Sequence, residues 1–183
     1  MLVFDCYELV GRKHYMNSIL SLAQAYEVFF SMYFRVELLY KPFGAGRDQE
    51  LAELNRISKV LQDKIKEHTF ARMRALFLRY MVAPQSPTNL AESEVVVAGF
   101  PDQPGDPKDA AIESLDDTTL VPLLKALKDT NINTLRNNIV HKQAYRPTRE
   151  EVEAALEETR SILFPLTSYL QLYDDVNSYI SKL

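Results

Sequence analysis

The longest apolar stretch of the chain covers residues 15–40, which contain no glycine or proline and carry only three charges. At about 3.6 residues per turn, its apolar residues fall on nearly every face, which is typical of a buried helix. The pattern therefore predicts a central helix, or one shared with a partner subunit. A membrane span is not expected, because only twelve uncharged residues precede Glu27 and they include Asn17 and Gln24.

A second helix is predicted over residues 48–81, because a proline and two glycines interrupt the chain at 42–46 and apolar residues then recur at helical spacing. A break near residues 68–69 divides this helix. Residues 55–80 hold seven basic residues against two acids, a net charge of +5. Such a face is either merely solvated or a source of sequence-independent phosphate contacts, and the pattern leaves both alternatives open.

A long loop is predicted over residues 84–116. Five prolines lie between residues 84 and 107, and the span 92–117 contains eight acids and one lysine. This composition is typical of a loop or of a poorly ordered excursion. The three valines at 95–97 favour at most a short packed or strand-like segment. An acidic loop of this kind can also repel or gate a polyanion at a basic site.

A third helix is expected to begin near residues 117–118, with Pro122 in its first turn, and to run towards the basic segment described below. A fourth begins at Thr148, which forms a capping-box pattern with Glu151, and Pro165 should bend it. With the first two, these helices predict an all-α bundle of four main helices with a proline-rich acidic loop before the third.

Composition and charge exclude several classes of protein. The length suits a single domain over residues 1–183, and 46% hydrophobic with 25% charged residues is ordinary for a globular protein. The net charge of −4 argues against a protein that coats nucleic acid indiscriminately, although it allows a local basic site. One cysteine, Cys6, rules out an internal disulfide, and three histidines form no convincing zinc pattern, so we expect neither a metal nor a cofactor.

Residues 1–14 are expected to form a short extended or irregular lead-in. Asp5 and Glu8 stand where a signal peptide needs basic residues, and no cleavage-like site of small residues follows them. Because the chain also has a single cysteine, these features favour the reducing cytoplasm as its compartment.

The groups best suited to chemistry lie together in residues 131–149, NINTLRNNIVHKQAYRPTR, which carry four basic residues and no acid. On a helix, Asn137 and His141 lie about 40° apart and face the same way, whereas Arg136 and His141 diverge by about 140°. The length of the arginine side chain, or a partner chain, can bring these two groups to one site. The apolar residues of the segment give the same helix a buried side.

A guanidinium, an amide and an imidazole arranged in this way suit a phosphodiester. Histidine titrates near neutral pH and can take or give a proton, and arginine presents a planar fork to phosphate oxygens. In RNA the 2′-hydroxyl is a built-in nucleophile, so His141 can deprotonate it or protonate the leaving oxygen. Arg136 can stabilise a phosphorane-like transition state, and Asn137 can orient the imidazole or hold the phosphate. This chemistry requires no metal.

Three other basic residues and one acid have two interpretations each. Lys142, Arg146 and Arg149 provide further phosphate contacts, or they form salt bridges and face solvent. Glu27 lies either at the solvent edge of the first helix or opposite Arg136, where it would be a supporting acid. Sequence spacing does not choose between these alternatives.

Residues 136–141, RNNIVH, resemble the R-x4-6-H motif of the HEPN superfamily (higher eukaryotes and prokaryotes nucleotide-binding), and the turn at residues 145–148 and the long final helix look like that family too. The resemblance implies a small helical domain that dimerises so that two such motifs form one composite site. For active members it implies metal-independent cleavage of RNA, with Arg136, Asn137 and His141 as the catalytic residues. It also implies a toxin–antitoxin or phage-defence system, with an antitoxin or another regulatory protein as a partner.

The chain departs from the family pattern in two places. Tyr145 lies four residues after His141, so the family branch with an H-x-Y tail is not matched, and the loop at 84–116 is longer than in a minimal member. The leading hypothesis is a HEPN-type endoribonuclease. The alternative is a non-catalytic helical module that dimerises or binds a nucleotide, a nucleic acid or a partner protein. In that case His141 stabilises a helix end and Asn137 bonds to a neighbouring helix.

Overall fold

The computed structural model describes residues 2–46, 48–66, 68–142 and 144–180, with their side chains except at positions 2, 4 and 178–180. Over these ranges the chain forms helices and no strand, which confirms the predicted all-α class. In chain order the helices are α1 Leu2–Gly11, α2 Tyr15–Arg35, α3 Lys41–Ala45, α4 Leu51–Lys66, α5 Phe70–Val82, α6 Leu90–Ala98, α7 Asp109–Glu113, α8 Leu120–Asp129, α9 Ile132–His141, α10 Arg149–Tyr169 and α11 Leu172–Ile180. The separation of α4 from α5 confirms the break predicted near residues 68–69.

Helix α2 lies at the centre of the bundle, as its apolar pattern predicted. It contacts α1, α5, α9 and α10, and Tyr26, Phe30 and Phe34 on it are fully buried. The ring of Phe30 packs edge-on against Phe70 of α5, with 6.0 Å between the ring centroids, and lies 5.5 Å from the ring of Phe77. Aromatic pairs at these separations stabilise the fold beyond the burial of their apolar area.

The helix continues through the first part of the predicted break and ends at Ala45, with Gly46 in an extended conformation. A π-helical turn at Val36–Tyr40 carries α2 into α3, and Pro42 is the second residue of α3. The side-chain amide of Gln49 then closes the turn after α3. Its nitrogen donates to the carbonyl oxygens of Pro42 at 3.0 Å and Phe43 at 2.9 Å, and its oxygen accepts from the N–H of Leu90 at 2.7 Å.

The first residues form a helix, so the prediction of an irregular lead-in over 1–14 is wrong for the span of α1. Cys6 is fully buried, and its thiol donates to the carbonyl oxygen of Ser18 in α2 at 3.5 Å. A helix this short is stable because of its packing rather than its own propensity, and the local sequence does not reveal that packing. Lys13, at a φ of 62°, lies in the turn between α1 and α2.

Two helices, α6 and α7, lie within residues 84–116, so the prediction of a continuous loop there is wrong. Asn89 caps α6, because its side-chain oxygen accepts from the N–H of Glu92 at 3.0 Å. The valines at 95–97 are helical rather than strand-like. The fully buried apolar residues of the segment are Leu90, Val97 and Ile112. Their burial in the core orders a segment whose prolines and acids predicted a loop.

The predicted third helix is divided into α8 and α9, so the RNNIVH motif lies on a helix of its own. Asp117 caps α8, because its Oδ1 accepts from the N–H groups of Thr119 at 2.9 Å and Leu120 at 2.7 Å. Pro122 lies in the first turn of α8, as predicted. Helical geometry is lost at Thr130, where ψ is 133°. Threonine between an aspartate and an asparagine has low helix propensity, which favours this break.

Helix α10 begins where the sequence predicted. The hydroxyl of Thr148 accepts from the N–H of Glu151 at 3.2 Å, and the carboxylate of Glu151 accepts from the N–H of Thr148 at 2.7 Å. These two bonds complete the predicted capping box. The helix continues past Pro165 to Tyr169, and Gln171, at a φ of 52°, lies between α10 and α11.

Candidate functional site

Helix α9 packs against α2. Thr130, just before α9, lies beside the buried phenol of Tyr26. Arg146, just after α9, lines a cavity with His14 and Tyr15 at the start of α2. The beginning of α9 is therefore next to the middle of α2, and the chain after α9 is next to the first turn of α2.

Arg136 lies on the side of α9 that faces α2. Its Nη2 is 3.9 Å from Oε1 of Glu27, with 33% of the arginine side chain and 42% of the glutamate side chain exposed. Glu27 thus lies opposite Arg136, the second of its two predicted positions. At this separation and exposure the ion pair is weak, because water and salt screen both charges. The guanidinium keeps donors that can reach a second anion from the solvent side.

His141 is the last residue of α9, and its side chain is exposed. Because residues 132–141 form an α-helix, His141 lies about 140° around the axis from Arg136 and about 40° from Asn137. Asn137 is half-buried. Within the described part of the chain, no hydrogen bond or ion pair joins Arg136 to His141. One chain therefore presents the guanidinium and the imidazole on different sides of the same helix.

Exposed apolar side chains lie on the two helices that carry Arg136 and Glu27. Val140, which follows Arg136 by one turn, is 54% exposed, and Leu20 and Val28 on α2 are also exposed. We refer to the exposed sides of these two helices, which carry Leu20, Val28 and Val140, as the α2–α9 surface. Exposed apolar side chains are available for contact with another protein surface.

The three further basic residues of the segment have different surroundings. Lys142 is exposed beyond the end of α9. Arg146 is also exposed, and its Nη1 donates to the carbonyl oxygen of Tyr145 at 2.8 Å. Arg149 pairs with Glu153, one turn later on α10, at 2.7 Å, so it adopts the salt-bridge alternative. Lys142 is therefore better placed than Arg149 to contact phosphate.

Two basic residues that carry no local signal in the sequence lie beside Arg146. Lys13 and His14, both exposed, line a cavity of about 280 Å³ together with Arg146 and Pro147. They belong to the segment predicted as a lead-in. The packing of α1 against α2 and α10 brings them next to the chain that follows the motif, so only the tertiary structure reveals them.

Acidic residues of the 84–116 segment lie against the basic helices α4 and α5. The pairs are Arg56–Glu94 at 2.6 Å, Lys64–Asp102 at 3.8 Å and Arg74–Asp106 at 2.7 Å. These contacts neutralise part of the positive charge of residues 55–80 within the protein itself. The basic stretch is therefore less available to phosphate than its net charge of +5 indicates.

Glu158 of α10 holds the beginning of α9. Its Oε1 accepts from the N–H of Asn131 at 3.4 Å. Burial raises the pKa of the Glu158 carboxyl, and the hydrogen bonds from Asn131 and Thr130 oppose that rise only in part. The protonated carboxyl is therefore favoured more in the folded chain than in the unfolded one.

We expect Glu158→Gln to remove a pH-dependent part of the free energy of unfolding. Because the pKa of Glu158 is raised on folding, its contribution to stability is full at low pH and is lost as the pH rises through the folded-state pKa. The wild type should therefore lose stability relative to Glu158→Gln as the pH rises from below the ordinary pKa of a glutamate to above the raised pKa of Glu158. Urea unfolding at several pH values measures this difference, with the exposed Glu157→Gln as the control. A difference that changes in the opposite direction would contradict the expectation.

Neither a reactive cysteine nor a metal site is found among the residues that the structure describes. Burial, reinforced by the charge of Asp5, raises the pKa of the Cys6 thiol to about 11, so this thiol stays protonated and unreactive at neutral pH. In the same ranges, histidine, cysteine and acidic side chains form no group of three that could hold a metal ion. The residues of α9 and its flanks are the candidate site that we consider further.

Comparisons with known proteins identified no relative of this chain. No family model, curated protein or solved structure matches the chain. Of the helices that the structure describes, none combines the length and the apolar character needed to cross a lipid bilayer. The side chains of α9 and the motif that they form are therefore the basis for a proposed function.

Proposed function

We propose that this chain is a metal-independent endoribonuclease of HEPN type, which acts as a homodimer on RNA in the cytoplasm. The observation that carries the proposal is the solvent access of both Arg136 and His141 on one short helix. The surrounding segment, residues 131–149, has basic residues and no acid, so its local field favours a polyanion. A toxin–antitoxin or phage-defence system, with an antitoxin or another regulatory protein as partner, follows from the resemblance of the motif alone.

In the proposed reaction His141 accepts the proton of the RNA 2′-hydroxyl. The 2′-oxygen forms a bond to the adjacent phosphorus, the bond from phosphorus to the 5′-oxygen breaks, and the 5′-oxygen takes a proton from a second imidazole or from water. The N–H donors of Arg136 stabilise the negative charge that grows on the phosphate oxygens in the transition state. The products are a 2′,3′-cyclic phosphate and a free 5′-hydroxyl.

A homodimer would bring together the guanidinium and the imidazole, which a single chain keeps apart. Arg136 and His141 lie on different sides of α9 in one subunit, so a two-fold axis at the α2–α9 surface would bring the imidazole of one subunit towards the guanidinium of the other. The exposed apolar side chains of that surface support its role in subunit contact. Arg146 and Lys142 then extend the basic track along which an RNA strand lies.

The proposed function is tested by incubating the purified protein with total RNA in excess EDTA. The wild type should cleave the RNA and leave 2′,3′-cyclic phosphate ends, and the His141→Ala variant should leave it intact. Loss of cleavage on chelation would indicate metal-assisted hydrolysis instead. Equal cleavage by the wild type and the variant would reject His141 as a catalytic residue.

The ion pair between Arg136 and Glu27 favours a second candidate function. An arginine that is held by an acid of the same chain can serve packing between α9 and α2 rather than catalysis. The chain would then be a non-catalytic module that dimerises or binds a nucleotide or nucleic acid. Saturable binding of RNA by the wild type without any cleavage in the EDTA experiment would support this candidate over the nuclease.

We expect Glu27→Gln to strengthen RNA binding by about two- to fivefold, because two unit charges about 4 Å apart in water interact by about 1 kcal/mol. The substitution releases Arg136 from its weak ion pair and removes a negative charge beside the phosphate. Fluorescence anisotropy with a short labelled RNA measures the Kd, with His141→Ala present in every variant so that no RNA is cleaved. The exposed Glu50→Gln, which changes the net charge equally, is the matched control. Equal affinities for the two variants would place Glu27 outside the binding site.

A further inference from the structure

A groove that is separate from the α9 residues lies between α5, α6 and the chain that leads into α7. Its volume is about 510 Å³, within the range of sites that hold small organic ligands. Leu76, Tyr80 and Phe100 form buried parts of its lining. Val95, on its α6 side, is 73% exposed. The groove therefore offers an apolar surface to a ligand.

Two cations, Arg79 and Lys108, also line this groove, and no acid does among the residues that the structure describes. Both are exposed, and neither takes part in an ion pair within the ranges that the structure describes. The nearby basic residues Arg56 and Arg74 are instead paired with acids of the 84–116 segment. The groove thus combines apolar walls with a local excess of positive charge, and this charge is complementary to an anion.

The walls of the groove are held in place by hydrogen bonds within the protein. Asp106 accepts from Arg74 at 2.7 Å, and a ring nitrogen of His68 lies 3.3 Å from the carbonyl oxygen of Pro101. The hydroxyl of Tyr80 donates to the carbonyl oxygen of Gln85, which fixes the chain after α5. A groove whose walls are already ordered loses little conformational entropy when it binds a ligand.

We propose that this groove binds a small amphipathic carboxylate, with its hydrocarbon chain against Leu76, Val95 and Phe100 and its carboxylate at Arg79 and Lys108. Burial of the hydrocarbon chain provides the affinity, because each methylene group removed from water makes the free energy of binding more favourable. The two cations select the anionic head group through charge-assisted hydrogen bonds. This site does not depend on the proposed nuclease function, because the lining residues that the structure describes lie outside the α9 segment.

Isothermal titration with decanoate, below the concentration at which it forms micelles, tests the proposal. Decanoate should bind saturably. Decanol and decylamine have the same hydrocarbon chain without the negative charge. They should bind at least about tenfold more weakly, since a hydrogen bond to a charged group contributes about 1.5–3 kcal/mol. Chemical-shift changes in the amide spectrum of the labelled protein should map to α5, α6 and the chain before α7. Saturable binding that maps elsewhere, or equal binding of the three compounds, would overturn the assignment.

Variants separate the two parts of the site. Arg79→Gln with Lys108→Gln should raise the Kd for decanoate by about tenfold or more, and Val95→Asp should weaken all binding. Each replaced side chain is exposed, so the variants should keep the helical circular dichroism of the wild type. The matched control is Lys59→Gln, which removes an exposed positive charge of α4 outside the groove and should leave the Kd unchanged. An unchanged Kd in the double variant would also overturn the proposal.

Discussion

Replacement of His141 by alanine should lower the rate of RNA cleavage by at least about a hundredfold, because general acid–base catalysis by a positioned side chain contributes about 10²–10⁴ to the rate. Arg136→Ala should cause a loss of similar size, because it removes donors aimed at the charge of the transition state. His141 is exposed and Arg136 is partly exposed, so neither substitution should unfold the protein. Initial rates on a short RNA in EDTA measure both effects.

His68→Gln and Arg12→Ala are the matched controls for these two variants. His68 lies between α4 and α5, and Arg12 forms an exposed ion pair with Glu8 on α1. Both substitutions should leave the rate within about twofold of the wild type, as is usual for surface changes away from a functional site. A comparable loss of activity in the controls would mean that the amount of folded protein or the concentration of RNA, rather than chemistry at α9, limits the rate of cleavage.

Mixing the two inactive variants tests whether the site spans two subunits. If the arginine of one subunit acts with the histidine of the other, a heterodimer of Arg136→Ala and His141→Ala has one intact site and one doubly altered site. Random exchange of subunits in a symmetric dimer should then restore about a quarter of the wild-type rate. If both groups act within one chain, no heterodimer contains an intact site, and the mixture should stay inactive. Native mass spectrometry of a mixture in which one variant carries an affinity tag establishes that the subunits have exchanged.

Phe30→Ala should lower the free energy of unfolding by about 3–5 kcal/mol, which is a large part of the stability of an ordinary domain. Phe30 is fully buried on α2, and its ring meets those of Phe70 and Phe77 on α5. Its removal leaves a cavity between the two helices, and the neighbouring rings lose contacts that a smaller side chain cannot replace. Urea unfolding followed by circular dichroism measures the change.

Phe164→Ala is the matched control, because it is the same substitution at a residue that is 43% exposed on α10. Its effect should be clearly smaller than that of Phe30→Ala, since less apolar area leaves water there on folding. Equal destabilisation by the two substitutions would contradict the central position of α2. In that case the contact between α2 and α5 would not be the main source of stability.

Several features of the fold follow from short-range patterns and were therefore predictable. The apolar surface of α2 follows from the composition of residues 15–40, and the start of α10 follows from Thr148 and Glu151, which are three residues apart and satisfy each other's hydrogen bonds. Residues 136–141 lie on a helix, as the apolar spacing of their segment indicated. Helical period and capping depend on neighbours within about one turn, so the sequence alone contains the information.

Other features depend on contacts between distant parts of the chain. Local patterns predicted a lead-in in place of α1 and a loop in place of α6 and α7, because these short helices are stabilised by packing on the core. Two groups of contacts are likewise invisible in the local sequence: the pairing of the acidic segment with α4 and α5, and the approach of Glu27 to Arg136.

By itself the sequence determined the helical class, the buried central helix and the segment that carries Arg136, Asn137 and His141. Only the tertiary structure decided that α9 is a separate helix against α2, that Arg136 faces Glu27 while His141 faces solvent, and that Lys13 and His14 lie beside Arg146. The physical reason is the range of the interactions. Hydrogen bonds along a helix join residues four apart, whereas packing and charge pairing join residues that meet only when the whole chain has folded.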